Sequence, residues 1–236
     1  MQLIIFAGGL GTRISEETDY IPKPMIKIGQ KPILWHIIKY YSMFGFSEFI
    51  ICGGYKIEII KKYFKHYNKN KIWNIRVIDT GKKSNTGERL KRVKKYIKGT
   101  FCLTYGDGLS DVDLNKLIRF HKKTKSLATL TTVKPTPRFG KIIFKGNQVV
   151  KFLEKDQKKE SWINAGFFVC EKKIFNYLKK QNTIFEKDTL SVLAKKKKLS
   201  AYKHNDFWYC MDTLRDKRYL NNLWLSKKAP WKIWDE

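Results

Sequence analysis

The amino-acid sequence predicts an α/β fold, with a mainly parallel sheet flanked by helices and an antiparallel β region added to it. In the first half of the chain, short apolar runs alternate with amphipathic stretches whose apolar residues recur at helical spacing. Strands separated by helices imply parallel pairing, because a parallel crossover needs an intervening element. After Leu127, strand-like runs follow one another with turns such as residues 145–147 between them, which favours antiparallel pairing.

The individual elements follow from these periodicities. Strands are predicted at residues 3–6, 49–52, 75–79, 101–105, 127–133, 141–144, 149–154, 162–170 and 208–211. Helices are predicted at residues 33–44, 57–67, 86–97, 113–124, 174–180 and 189–197. Asp212 and Thr213 are predicted to cap a last helix that runs to about residue 227. No internal repeat and no linker composition is present, so we predict one continuous domain over residues 1–236.

The chain carries a large positive net charge, which either an anionic binding partner or a solvated basic surface can account for. The 236 residues include 49 Lys and Arg against 21 Asp and Glu, a formal net charge of +28, and 42% hydrophobic residues exclude wholesale disorder. This charge favours nucleic acid, an anionic membrane or a phosphorylated substrate. Only eight of the cations are Arg, and no nucleic-acid-binding motif is present. We therefore expect no nucleic-acid partner and a lysine-rich solvated surface.

The cysteines and the apolar segments indicate the compartment. Cys52, Cys102, Cys170 and Cys210 lie far apart, without a C-x-x-C pair or a His at ligand spacing, which favours reduced thiols over zinc or disulfides. No stretch approaches the roughly twenty apolar residues of a membrane span, and the first residues lack the basic region of a signal peptide. We expect a cytoplasmic protein with no membrane partner.

A glycine-rich loop follows the first predicted strand, where α/β folds hold phosphates on backbone N–H groups. It matches neither the dinucleotide fingerprint, because Ile14 stands where the third glycine belongs, nor the P-loop pattern. It offers instead Gly8, Gly9, Gly11 and Arg13, and then Lys23 between two prolines that stiffen the backbone. The alternative interpretation is a glycine turn with a surface lysine.

Two aspartates end predicted strands. Asp107 lies between two glycines after the strand at 101–105, and Asp212 follows the strand at 208–211. Mg²⁺ in phosphoryl-transfer sites takes one or two carboxylates together with substrate phosphates, so this pair is a candidate magnesium site. Taken singly, either aspartate has a structural alternative, and for Asp212 that alternative is helix capping.

A further polar cluster lies in the antiparallel region. Glu154 and Lys155 end one predicted strand, and Asn164 stands in the next. These side chains suit the hydroxyls and phosphate of a small polar ligand. A surface hairpin with an ion pair is the alternative.

Together these motifs resemble the sugar-1-phosphate nucleotidylyltransferases. The resemblance rests first on IFAGGLGTR at residues 5–13 and PKPM at 22–25. Within that family, further motifs are similar to the glucose-1-phosphate cytidylyltransferase group: LGTRISEET at 10–18, KPILWHI at 31–37, YGDG at 105–108, MDTLRDK at 211–217 and KAPWK at 228–232. The resemblance covers nearly the whole chain. It implies a nucleotide-diphospho-sugar transferase fold, in which a Rossmann-like nucleotide-binding part, residues 1–126, precedes a sugar-binding and C-terminal part, residues 127–236.

The resemblance also implies roles for individual residues. The nucleotide would be bound by Phe6, Ala7, Gly8, Gly9, Leu10, Gly11, Thr12, Arg13, Lys23, Ser84, Arg89 and Gly106. Arg13, Lys23 and Asp107 would be catalytic, and Asp107 and Asp212 would hold Mg²⁺ as the cofactor. Glu154, Lys155 and Asn164 would bind the sugar phosphate.

The implied reaction is Mg²⁺-dependent transfer of a cytidylyl group from CTP to glucose 1-phosphate, giving CDP-glucose and pyrophosphate for deoxysugar and surface-polysaccharide biosynthesis. The alternative is the same transfer from GTP, dTTP or UTP, or to another sugar 1-phosphate. The partners are therefore a nucleoside triphosphate and a sugar 1-phosphate, and the family resemblance implies a homo-oligomer. Two positions depart from the family pattern: Glu88 replaces a glycine in the stretch at 81–92, and Asp156 replaces a proline after Lys155. A catalytically silent nucleotide-sugar sensor and a nucleic-acid-binding protein are the rivals from other classes.

Overall fold

The computed structural model describes residues 1–69, 73–135, 140–154, 161–178 and 181–235. Their strands, in chain order, are β1 Gln2–Ala7, β2 Lys27–Ile28, β3 Lys31–Pro32, β4 Glu48–Gly53, β5 Asn74–Asp79, β6 Phe101–Tyr105, β7 Gly108–Ser110, β8 Ala128–Val133, β9 Lys141–Lys145, β10 Gln148–Leu153, β11 Ile163–Cys170, β12 Leu199–Lys203 and β13 Trp208–Cys210. The α-helices are α1 Ser15–Thr18, α2 Ile33–Ser42, α3 Ile57–Lys69, α4 Thr86–Arg92, α5 Leu114–Thr124, α6 Ser191–Lys195 and α7 Leu214–Leu225.

A seven-stranded sheet forms the centre of the fold, in the order β12-β8-β11-β6-β1-β4-β5. β1 pairs in parallel with β4 and β6, and β5 extends this parallel set beyond β4. β11 is antiparallel to both of its neighbours, and β8 and β12 pair in parallel beyond it. The mainly parallel sheet with added antiparallel pairing is therefore confirmed, and it places the carboxyl ends of β1, β4 and β6 at one edge.

Each face of the sheet is covered by its own hydrophobic core. Leu3, Ile5 and Ala7 of β1 belong to one core, which they share with α2, α3, α5 and α7. Ile4 and Phe6 belong to the other, which includes residues of α4 and of the 172–195 region. Alternate residues of a strand point to opposite faces, so a strand that is apolar at every position lies between two layers of helices.

The structure differs from the predicted elements at several points. The helix expected at 86–97 ends at Arg92, and the 3₁₀ turn Lys94–Tyr96 follows it. Leu199–Lys203 forms the edge strand β12 next to β8, where no strand was expected. Its residues are half exposed and follow a lysine run, so it lacks the apolar pattern of a central strand. Lys172–Tyr177 is a 3₁₀ helix instead of the predicted α-helix. The helix expected at 189–197 is preceded by a wide π turn, Phe185–Leu190, and ends at Lys195.

The last helix begins as predicted from its capping sequence. The Thr213 hydroxyl accepts a hydrogen bond from the Asp216 N–H, and the Asp216 carboxylate accepts one from the Thr213 N–H, which is a capping box. Beyond α7, Trp231 is fully buried and packs near His36 of α2. The C-terminal segment therefore closes one face of the core. No helix in the described part of the chain is long and apolar enough to cross a bilayer.

β9 and β10 form a separate antiparallel hairpin. Its register pairs Phe144 with Val149 and Ile142 with Phe152, which brings these four side chains to one face. All four are exposed, by 61%, 51%, 46% and 61% in that order. The hairpin therefore presents a continuous apolar face to solvent.

Candidate active site

The loop after β1 is held by a buried arginine. The Arg89 guanidinium, on α4, is only 4% exposed and donates hydrogen bonds to the carbonyl oxygens of Gly8 at 2.8 Å, Gly53 at 3.1 Å and Gly81 at 2.9 Å. It also donates to the Thr80 hydroxyl at 2.9 Å. A Cβ at Gly8 would lie 1.9 Å from the guanidinium, so any side chain there would require the Arg89 guanidinium to move. Arg89 thereby ties this loop to the ends of β4 and β5.

The second half of the loop turns sharply at Gly11. Gly11 has a φ of +71°, and a Cβ there would lie 2.6 Å from the Thr18 side chain. The 3₁₀ helix Thr12–Ile14 follows, and the exposed Arg13 side chain reaches Asp212 at 2.5 Å. The turn thus brings the exposed Arg13 to the edge of a cluster formed by Lys23, Asp107 and Asp212.

Lys23 lies at the centre of that cluster. It starts the short 3₁₀ helix Lys23–Met25 and is buried, and its Nζ lies 2.6 Å from Asp107 Oδ2 and 2.6 Å from Asp212 Oδ1. Burial lowers the pKa of Lys23, but the charge of Asp107 and hydrogen bonds to both carboxylates outweigh it and hold that pKa above its ordinary value. Lys23 is therefore a permanent cation between two carboxylates.

Asp107 and Asp212 lie close together because the strands next to them, β7 and β13, are paired. β13 pairs antiparallel with β7, and the Met211 N–H donates to the Asp107 carbonyl at 2.9 Å. The buried Asp216 carboxylate accepts the backbone N–H of Asp212 at 3.0 Å and that of Thr213 at 2.8 Å. Burial raises the pKa of Asp216, but these hydrogen bonds and that of the Thr213 hydroxyl outweigh it and keep the pKa below its ordinary value. Asp216 therefore caps α7 and fixes the backbone of Asp212.

A third potential ligand group lies beside the two carboxylates. Among the described residues, the Cys210 sulfur and one carboxylate oxygen each of Asp107 and Asp212 lie within 4.8 Å of one another. Burial, and then the charge of Asp107, raise the pKa of the Cys210 thiol well above its ordinary value. The carboxylates of Asp107 and Asp212, which both pair with the Lys23 ammonium, are hard oxygen donors of the kind that bind divalent metal ions.

A cleft of about 410 Å³ opens above this cluster, within the usual range for a small-molecule site. It is lined by residues from the end of β1 and the loop after it, from the 3₁₀ helix Lys23–Met25, from the start of α4, from the end of β6 and from the 184–186 segment. They are Phe6, Ala7, Gly8, Gly9, Gly11, Arg13, Lys23, Pro24, Ser84, Asn85, Thr86, Arg89, Tyr105, Gly106, Asp107, Ile184 and Glu186. An open cleft lined by glycine backbone and by the cations Arg13, Lys23 and Arg89, with Asp107 at its base, suits a polyphosphate ligand.

A sequence model of the family described as nucleotidyl transferase matches residues 2–221, which include every residue of this cleft. The chain belongs to the nucleotidyl transferase family. Glucose-1-phosphate cytidylyltransferase of Salmonella typhimurium is 45% identical over 257 positions, covering 100% of both chains. D-glycero-alpha-D-manno-heptose 1-phosphate guanylyltransferase of Campylobacter jejuni is 33% identical, covering 88% of this chain and 93% of its own. The fold is shared with a crystal structure of UDP-glucose pyrophosphorylase, at a TM-score of 0.73 and 19% identity over 96% of this chain and 98% of that one.

Most of the residues predicted for nucleotide binding lie together in this nucleotidyl transferase. Ten of the twelve line the cleft, the exceptions being Leu10 and Thr12 of the loop itself. Asp212 lies below the cleft and joins it through Lys23 and Arg13. On the predicted sugar side, Glu154 is exposed at the end of β10 and is not among the lining residues, and Lys155 lies outside the described residues. Asn164 lies on β11, where its amide is 3.5 Å from the Tyr105 hydroxyl.

Sequence reasoning missed a partly buried chain of polar side chains on the far wall of the cleft. The Tyr105 hydroxyl donates to Glu186, whose other carboxylate oxygen accepts from the Thr86 hydroxyl at 2.7 Å. Burial, and then the Glu186 charge, raise the pKa of the Tyr105 phenol far above its usual range, so it stays a donor. Glu186 lies 100 residues from Thr86 in a segment without a motif, and only the folded chain brings the two together.

Glu88, which departs from the family pattern, has a structural role in this nucleotidyl transferase. Its carboxylate accepts a hydrogen bond from the Asn85 N–H at 2.9 Å and completes a capping box at the start of α4. Its other oxygen accepts from the Asn182 N–H at 3.3 Å. Glu88 thus caps α4 and ties this helix to the segment that carries Glu186.

Proposed function

We propose that this nucleotidyl transferase moves a cytidylyl group from CTP to glucose 1-phosphate, giving CDP-glucose and pyrophosphate. The observation that carries this proposal is the cluster of Lys23, Asp107 and Asp212 at the base of a cleft lined by the glycine-rich loop. The choice of CTP and glucose 1-phosphate is supported by the relative from Salmonella typhimurium, which is 45% identical over its full length. A second choice, GTP with another sugar 1-phosphate, is favoured only by the more distant Campylobacter jejuni relative.

The reaction needs charge neutralisation more than proton transfer. An oxygen of the sugar 1-phosphate forms a bond to the α-phosphorus of the nucleotide, while the bond from that phosphorus to the pyrophosphate oxygen breaks and the electron pair leaves with pyrophosphate. The attacking phosphate is already ionised, so no general base is required. Both reactants are anions, and positioned cations are the main means of stabilising their transition state. Arg13 and Lys23 supply such charges on this chain.

Asp107 and Asp212 are proposed to hold Mg²⁺. The two carboxylates fit a cation, because the Lys23 ammonium lies 2.6 Å from an oxygen of each. A bound Mg²⁺ would supply further neutralisation of the phosphate oxygens. Asp216 supports this assignment, since it fixes the backbone at Asp212 through two N–H hydrogen bonds.

The remaining residues are proposed to position the two substrates. The loop from Phe6 to Arg13, together with Ser84, Arg89 and Gly106, would receive the nucleotide. Arg89 would do so chiefly by shaping the loop, because its donors are already directed at backbone carbonyls. Glu154, Lys155 and Asn164 would receive the sugar phosphate, with Asn164 acting next to Tyr105.

The proposal is tested by incubating the full chain and Mg²⁺ with each of the four common nucleoside triphosphates against a panel of sugar 1-phosphates. Pyrophosphate release should be fastest with CTP and glucose 1-phosphate. Faster release from GTP with another sugar would establish the second choice, and no release from any pair would overturn the enzymatic assignment. Asp107→Asn should lower turnover by at least about 100-fold with little change in melting temperature.

We place a homo-oligomer contact on the hairpin of β9 and β10. Its support is the apolar face formed by Ile142, Phe144, Val149 and Phe152, four exposed side chains that adjoin one another on one side of the hairpin. Phe144→Glu should lower the molar mass measured by light scattering during size-exclusion chromatography. Lys151→Glu is the matched control, because Lys151 pairs with Ile143 on the opposite face. An unchanged mass in the Phe144→Glu variant would contradict this placement.

A further inference from the structure

Cys210 lies beside the two aspartates because of strand register. In the β7–β13 pair, Cys210 is opposite Gly108, the residue directly after Asp107, and Asp212 follows two residues later. The sulfur of Cys210 and an oxygen of each carboxylate consequently lie within 4.8 Å of one another. Three potential ligand atoms, one of them soft, therefore converge on one point at the end of the sheet.

Two cationic side chains already pair with these carboxylates. The Lys23 ammonium contacts both carboxylates at 2.6 Å, and the Arg13 guanidinium contacts Asp212 at 2.5 Å. Lys23 lies on a separate short 3₁₀ helix, 84 residues before Asp107 and 189 before Asp212. A divalent ion would have to replace the Lys23 ammonium between the carboxylates, and the Cys210 sulfur would then lie within the same small group of ligand atoms.

We propose that Cys210 is a third ligand of this centre for thiophilic divalent cations, so that the site binds Zn²⁺ or Co²⁺ through two carboxylates and one thiolate. The inference rests on the proposed metal role of Asp107 and Asp212. Mg²⁺ uses oxygen ligands and gains nothing from the sulfur, whereas Zn²⁺ and Co²⁺ accept thiolate readily. On coordination the sulfur–metal bond forms and the S–H proton leaves to solvent. Zn²⁺ should therefore compete with Mg²⁺ at this site.

Co²⁺ is the probe, because a thiolate bound to Co²⁺ gives a near-ultraviolet charge-transfer band that carboxylate ligands do not give. Titrating Co²⁺ into the full, reduced chain should produce this band, and added Zn²⁺ should abolish it. Cys210→Ser should remove the band and weaken Co²⁺ binding about tenfold or more, as measured by calorimetry, while Mg²⁺ binding stays within about twofold. Cys102→Ser is the matched control and should keep the band, since Cys102 is buried in β6 outside this group.

The outcomes separate this inference from the proposed metal site. Co²⁺ that binds equally to the wild type and to Cys210→Ser, without a band in either, overturns the ligand role of Cys210 and leaves the carboxylate site standing. Absence of any Co²⁺ or Mg²⁺ binding overturns both. Loss of the band in Cys102→Ser would also overturn the inference, because the thiolate would then not be that of Cys210. Cys210→Ala, with far-ultraviolet circular dichroism of each variant, checks that the lost band does not reflect unfolding.

Discussion

Lys23 and Asp107 form an ion pair with an Nζ to Oδ2 distance of 2.6 Å, and the same Nζ lies 2.6 Å from Oδ1 of Asp212. One buried ammonium thus balances two carboxylates from strands that are distant in sequence. The excess negative charge is met at the rim by Arg13, which is largely exposed. Lys23 and the two carboxylates alone carry one net negative charge, so a divalent ion that displaced the exposed Arg13 would still meet an attractive charge.

Replacing Lys23 by Met should separate its two effects. Turnover should fall by about 100-fold to 1000-fold, because a positioned cation is lost beside the reacting phosphates. Affinity of the substrate-free chain for Mg²⁺ should rise, because the ammonium no longer competes for the carboxylates. Steady-state kinetics and calorimetry measure the two effects. Lys27→Met, at an exposed position on β2, is the control and should change neither; unchanged Mg²⁺ affinity in the Lys23 variant would contradict the competition.

Gly8 and Gly9 are adjacent, but replacement by alanine should destabilise the fold at Gly8 and leave it nearly unchanged at Gly9. A Cβ at Gly8 would lie 1.9 Å from the Arg89 guanidinium, whereas one at Gly9 has open space around it. Gly8→Ala should therefore displace Arg89 from its carbonyl partners and cost about 2 kcal/mol or more of unfolding free energy. Gly9→Ala should be near neutral. Urea denaturation of both variants checks this contrast, and equal stabilities would show that Arg89 moves aside freely.

The sequence predicted those parts of the fold whose signal is local. The apolar run of β1, the glycine turn that follows it and the capping residues of α7 each act within a few residues of the chain. β12 escaped prediction because it is a half-exposed edge strand, whose pairing with β8 supplies what its own residues do not. An edge strand of this kind is stabilised by pairing with a neighbouring strand, which the periodicity of its own residues does not indicate.

The residues of the candidate site also fall into those with a local sequence signal and those without one. Lys23, Asp107 and Asp212 could be singled out because each stands in a distinctive local setting, between prolines, between glycines or at a strand end. Glu186 could not, since its setting is a wide helical turn and its partners Thr86 and Tyr105 come from other elements. Cys210 was interpreted as one of four reduced thiols, and only the β7–β13 register brings it to the aspartates.

Asp216→Asn should lower stability more than any exposed carboxylate change. The carboxylate accepts hydrogen bonds from the backbone of Asp212 and Thr213 and from the Thr213 hydroxyl, and an amide can reproduce only part of this. The loss should be about 1–3 kcal/mol of unfolding free energy. Glu58→Gln, in an exposed ion pair with Lys61, is the control and should cost less than about 0.5 kcal/mol. Urea denaturation measures both, and equal losses would contradict the capping role.

The lowered pKa of Asp216 also predicts that the free energy of unfolding falls in acid. Its pKa is depressed in the folded chain, so its contribution is full above the ordinary Asp pKa and disappears as the pH falls through the folded value. The difference in unfolding free energy between wild type and Asp216→Asn should accordingly shrink as the pH is lowered below about 4. A difference that stays constant over this range would show that the charge of the carboxylate is not what stabilises the cap.

His36 should make a separate acid-sensitive contribution in the pH range above that of the carboxylates. It is fully buried on α2, where its Nε2 donates to the Ile28 carbonyl at 2.9 Å and its Nδ1 accepts from the Trp231 indole at 3.4 Å. Burial lowers the pKa of His36 to about 4. The unfolded chain therefore binds this proton first as the pH falls from about 6.5, and folding stability declines towards pH 4 by up to about 3 kcal/mol.

His36→Gln isolates that contribution, because an amide can keep both a donor and an acceptor while it does not titrate. Unfolding free energy measured at half-unit steps from pH 7.5 to pH 4.5 should fall less steeply in this variant than in the wild type. His204→Gln should act with the opposite sign: burial lowers the pKa of His204, but its hydrogen bond to Asp111 outweighs this and raises it. Protonation of His204 therefore stabilises the fold below its unfolded pKa, and that stability is lost as the pH rises through the folded value, so this variant should be weakest relative to wild type in acid. Parallel pH profiles for wild type and His36→Gln would show that His36 binds its proton equally in the folded and unfolded chains, which would contradict the lowered pKa.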